Sequence, residues 1–157
     1  MQKHKIAVVA LILAVCLLSS ALALVWMQKT VSNQMSLSAQ YDIAVFETGT
    51  TTPCASIAWG AFNESQVKTY IIDLKYLGNL DGRIYWDQTL HAGWTLLVEE
   101  KNHDASSYNS WPSGEGGQIT GLENGHLKNI RLTLTETTAT PNQPYAFSVT
   151  FYSLYGT

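Results

Sequence analysis

Twenty-two consecutive residues, Ile6 to Met27, carry no charge and are broken only by Ser19 and Ser20. At about 1.5 Å per residue a helix of that length reaches roughly 33 Å, enough for the ~30 Å hydrocarbon core of a bilayer. A helix buried in a soluble core keeps a polar face, whereas this segment is apolar all round, the pattern of a lipid-facing span. Met1-Gln2-Lys3-His4-Lys5 precedes it, and the next basic residues after it are Lys29 and then Lys68. The positive-inside bias therefore predicts residues 1–5 as a cytoplasmic basic region and everything after the span as extracytoplasmic. In this single-pass reading Lys3, Lys5 and Trp26 sit at the membrane interfaces, and the bilayer is the partner of residues 6–27.

Two fates are open to the segment. As a signal anchor it is retained, and the apolar run continuing through Leu24-Val25-Trp26-Met27 favours this. As a signal peptide it offers the small-residue site Ala21-Leu22-Ala23, and cleavage there would release the remainder as a secreted protein. Leu13-Ala14-Val15-Cys16 has a trace of a lipidation box, but Val15 stands where a small residue belongs and apolar residues follow Cys16. Cys16 reads as a small hydrophobe within the bilayer.

Beyond the span, seven Lys/Arg face twelve Asp/Glu, a net charge of −5. No basic cluster occurs there, so a nucleic-acid partner is excluded. Charged residues are only 13% of the chain, against roughly 25% in an average soluble protein, which rules out a charge-rich disordered chain. At 157 residues there is room for one domain of ordinary size behind the span. Cys54 is the one cysteine left outside, so an intramolecular disulfide is excluded and stability must come from packing. Cys54 itself reads either as a buried small apolar residue or as a reactive or intermolecular thiol.

Residues 28–35 are polar enough to serve as a tether. After it Leu37, Ala39, Tyr41, Ile43 and Val45 recur at period two, the mark of a half-buried strand. Further strands are predicted at Cys54–Trp59, Val67–Leu77, Arg83–Asp87, Trp94–Val98, Ile130–Thr135 and Tyr145–Phe151, with Gly78-Asn79 and Gly93 as turn signals. About seven strands, β-branched and aromatic, with no helix-period segment among them, predict an all-β domain over residues 36–157, an Ig-like antiparallel β-sandwich. Lys101 to Gln118, with Pro112, Gly114, Gly116 and Gly117, is the longest irregular stretch, and loops of that length are often binding elements or disordered segments.

Ser56-Ile57-Ala58-Trp59-Gly60, Val67-Lys68-Thr69-Tyr70, Leu77-Gly78-Asn79-Leu80, Gly121-Leu122-Glu123-Asn124-Gly125-His126 before Ile130–Thr135, and Tyr145–Val149 follow one another in an order that resembles small Ig-like β-sandwich proteins. These are common in archaea and stand outside the cell behind a signal sequence or N-terminal anchor. Where they show Pro-Gly after the Trp-Gly strand, this chain has Asn63-Glu64-Ser65. The resemblance implies a non-enzymatic surface module making structural or protein contacts. It extends to surface-fibre subunits, which implies an alternative: assembly with copies of itself, an N-terminal strand of one subunit filling the next.

The residues that could carry chemistry are few. His91, His103 and His126 match no local metal motif, although they could still meet in space. Glu99 and Glu100 are neighbours on a strand and so point to opposite faces, which argues against a carboxylate dyad. No Gly-x-Ser-x-Gly elbow is present. Neither an enzyme activity nor a cofactor is called for. Asn63-Glu64-Ser65 is a glycosylation sequon on the extracytoplasmic side. Tyr108 and Trp111, in the Gly/Ser-rich loop, would suit an aromatic platform for a sugar or protein, as in a carbohydrate-binding accessory module; alternatively Trp111 folds back to cap the sandwich edge. Trp59, Trp86 and Trp94 are in strand phase and belong to the core.

Overall fold

Alternation of apolar and polar residues translates directly into strands. In the computed structural model, which describes residues 33–39, 42–63, 65–79, 82–138 and 144–155, the strands are β1 (Gln34–Ala39), β2 (Ile43–Glu47), β3 (Ser56–Ala58), β4 (Val67–Tyr76), β5 (Gly82–Thr89), β6 (Trp94–Asn102), β7 (Asn109–Ser110), β8 (Ile119–Leu122), β9 (Leu127–Glu136) and β10 (Ala146–Tyr155). A single 3-10 turn, Glu115–Gly117, is the only helical element among these residues. The predicted span at 6–27, with Lys3, Lys5, Ala21, Ala23 and Trp26, lies outside the described residues.

The strands form two five-stranded sheets, ordered β3-β1-β10-β5-β8 and β2-β4-β9-β6-β7. Their inner faces share one core. On β9, Ile130, Leu132 and Leu134 are fully buried, while Arg131, Thr133 and Thr135 between them are half-exposed. On β10, in the other sheet, Phe147, Val149 and Phe151 do the same. Each such side chain contributes about 1.5–3 kcal/mol when taken out of water, so the alternation holds the two layers together. Trp59, Trp86 and Trp94 are buried in this core, as expected.

At the far end, Tyr76 closes the core with its ring held between Gly78 and Gly82; a Cβ at either glycine would overlap the ring. The neighbouring turn needs a glycine for a different reason. Gly125 has φ 85° and donates its N–H to Tyr76 O at 2.8 Å, a left-handed backbone that most side chains resist.

Connectivity departs from the Ig-like expectation. In Ig-like sandwiches several consecutive strand pairs stay within one sheet. Here β6–β7 is the one consecutive pair that does so; each other link crosses to the opposite sheet. With β1 and β2 set aside, the orders become β3-β10-β5-β8 and β4-β9-β6-β7, the winding of a jelly roll. The alternation from Leu37 to Val45, read as one strand, is split into β1 and β2, which belong to different sheets. The sandwich also begins earlier than residue 36: Asn33 and Met35, placed in the tether by their polar neighbours, are buried.

Candidate functional site

The unusual element is β1. It lies between β10 and β3, parallel to the first and antiparallel to the second. All other strand pairs in the two sheets are antiparallel. Met35 opposes Phe147 and Ile57, and Leu37 opposes Val149. Both point into the core, at 0% and 7% exposure, while Gln34 and Ser36 face outward. Among the described residues, strand β3, three residues long, joins its sheet only by pairing with β1. A jelly roll would pair β3 with β10 directly, so β1 fills a slot between them.

Asn33 closes the mouth of that slot. Its amide nitrogen donates to Gly60 O at 2.9 Å, and its side-chain oxygen accepts from Tyr145 N–H at 3.0 Å. Its backbone oxygen accepts from Trp59 N–H at 2.8 Å. Around the mouth lies an aromatic group: Phe62 edge to face on Trp94 at 4.8 Å, Tyr70 edge to face on Trp59 at 6.2 Å, and Trp94 tilted against Tyr145 at 5.3 Å. Lys68 lies over the Phe62 ring at 4.5 Å and donates to Trp59 O and Ala61 O at 2.7 and 2.6 Å. The sequence did not mark Asn33, which is one polar residue among many before the strands. Its signal was its place in phase with Met35 and Leu37.

The loop residues singled out from sequence differ in burial. Trp111 is 3% exposed; its indole N–H donates to Gly117 O at 2.6 Å, its carbonyl accepts from the Trp86 indole at 3.0 Å, and its ring stacks on Phe151 at 6.0 Å. Of the two readings of Trp111, the one in which it folds back to cap the sandwich edge is the one observed, and its ring is not open to solvent. Tyr108 is half-buried, with the Arg131 guanidinium 4.2 Å from its ring centroid and Lys101 at 5.2 Å. Burial pushes its phenol up, against the opposing pull of Arg131. Arg131 in turn holds Glu99 through two hydrogen bonds of 2.7 Å, which lower the Glu99 carboxyl.

Glu99 and Glu100 do face opposite ways. Glu100 pairs with Lys128, at 2.7 Å, on the inner side. His103 and His126 line a cavity of about 380 Å³ with Asn102, Asp104 and Leu127, but His91 lies elsewhere, against Tyr145 and Phe147. Among the described residues no three His, Cys, Asp or Glu side chains gather as a metal site would require. Cys54 is buried, and desolvation, with Glu47 second, pushes its thiol up from 9.0. Asn63 is exposed, in a tight turn where Gln66 accepts its N–H at 2.9 Å and Ser65, at φ 59°, donates to Glu136.

Sequence reasoning missed Asp73. It sits on the outer face of β4 and so reads as solvated, yet it is 3% exposed, accepting from Asn129 Nδ2 and from Gly49 N–H. It lines a cavity of about 210 Å³ with Phe46, Thr50, Thr51, Lys75, Gly125 and Leu127. A polar residue opposite it in register, Asn129, was the available clue. Neither the protein-family models nor the curated proteins yield a match to this chain.

Proposed function

We propose that the protein is a non-enzymatic structural module of the cell exterior that joins to copies of itself by inserting its N-terminal strand. The observation that carries this reading is the position of β1: the first strand among the described residues, parallel to β10, filling a slot between β3 and the rest of its sheet. Residues 40–42 alone link β1 to β2 in the opposite sheet. Short hinges of this kind favour exchange of an element between identical subunits, because straightening the hinge delivers the same strand to a neighbour's slot.

Residues 6–27 would bring the module to the membrane. Retained, they leave it anchored; cut after Ala23, they free the N-terminal strand for a fibre or surface layer. N-terminal sequencing of the protein from its native envelope distinguishes the two, a start at Met1 meaning anchor and a start at Leu24 meaning release. The extracytoplasmic side also suits use of the Asn63 sequon, whose side chain is exposed. The carbohydrate-binding alternative loses its support with the burial of Trp111. Self-association is tested in the full chain by Leu37→Asp, which places a carboxylate in the slot. Multimers should disappear; multimers persisting at wild-type level would sink the reading.

A further inference from the structure

The inserted strand raises a question of register that hydrophobic alternation does not answer. A one-residue slip would bury Gln34 and Ser36 and is excluded. A two-residue slip keeps every side chain on its face. In the inward row Asn33, Met35, Leu37 and Ala39, preceded two residues earlier in the sequence by Val31, such a slip puts Leu37 in the Met35 place or Met35 in the Leu37 place, exchanges of similar volume that cost little, and changes bulk only at the half-buried Ala39 end of the strand. The parallel ladder to β10 is evenly spaced and repeats after two residues.

Asn33 breaks that degeneracy. It is 2% exposed, and its one side chain bonds both walls of the slot, Gly60 O beside β3 and Tyr145 N–H beside β10. In either slipped register an apolar residue, Val31 or Met35, stands at the mouth. Both backbone groups then lose their partner, and in one direction the Asn33 amide itself enters the apolar Met35 place. We infer that Asn33 determines the register in which the N-terminal strand enters the slot, so that the slot accepts the strand of a second copy only with Asn at its mouth. A single buried polar residue fixes coiled-coil register by the same logic. The inference rests on the strand-insertion reading only for which copy supplies the strand.

Cysteine pairs report the register in the full chain, with Cys16 and Cys54 replaced by alanine. Ser36→Cys with Ser56→Cys are directly opposed in the observed pairing. Gln34→Cys with Ser56→Cys, and Ser36→Cys with Ala58→Cys, become opposed only after a two-residue slip. With Asn33 present, mild oxidation should link the first pair alone. In Asn33→Leu, close in shape but without hydrogen bonds, the ratio of slipped to native cross-link should rise roughly tenfold or more. An unchanged ratio in a folded Asn33→Leu protein overturns the inference; should that variant lack a native near-UV spectrum, Asn33→Ala carries the same comparison. Product size on a non-reducing gel shows separately whether the strand came from the same chain or another, so a failure of strand exchange is not confused with a failure of the register.

Discussion

Tyr76 depends on what its neighbours lack. Gly78 and Gly82 press on its ring so closely that a Cβ at either would overlap it, and the ring is buried, so it has no solvent side to swing into. Gly82→Ala should therefore destabilise the protein by about 1–3 kcal/mol, the usual cost of overpacking, measured as a lower urea midpoint with an unchanged slope. Gly49→Ala has open space instead, and its cost would come only from its φ of 72°. A second residue-scale effect is electrostatic. Arg131 holds the Glu99 carboxyl below its ordinary 4.5, so the folded value is lower than the unfolded one. The pair's contribution is complete above the unfolded value and is lost as pH falls through the folded one. Urea midpoints should drop below about pH 4.5 more steeply in the wild type than in Arg131→Leu; parallel curves would show the pair to be inert. The core tryptophans were legible from strand phase. For Trp111 the sequence offered the capping reading but not its partners, the Gly117 carbonyl and the Phe151 ring, which the fold brings to it.

At the scale of elements, long central strands were readable and short edge strands were not. Strands β4, β9 and β10 each run for ten residues, long enough for period two to show. Strand β7 has two residues and β8 four, too few to display any period. The break between β1 and β2 was hidden because the apolar positions keep phase across residues 40–42, with neither Gly nor Pro to mark a corner. The chain changes sheets there without changing which face is buried. Strand β1 is correspondingly the element on which most depends. Ser36→Pro would take an N–H from the middle of a strand paired on both edges, whereas Thr150→Val leaves the backbone of β10 intact. The first should release β1 and with it β3, raising hydrogen exchange at Ile57 and Trp59 as well as at Met35. Exchange confined to residues 34–39 would show that β3 holds its place independently.

For the whole molecule, the fold class was legible and the winding was not. Alternation and turn residues specify strands and faces, but the order of strands in a sheet is set by which edges meet after collapse, and no local pattern encodes it. The slot between β3 and β10 is a property of that order, which is why the site could be located only in three dimensions. What the slot does is decided by whether its strand is native to the chain or borrowed. The direct measurement uses full chains carrying Ser36→Cys and Ser56→Cys, half of them grown in heavy nitrogen, mixed while unfolded, assembled and oxidised. Mass spectrometry of the disulfide-linked peptides around residues 36 and 56 reads the origin of each strand. Strand exchange predicts a large share of light–heavy peptide pairs; pairs joining only peptides of the same isotope, in a product of single-chain size, would contradict it.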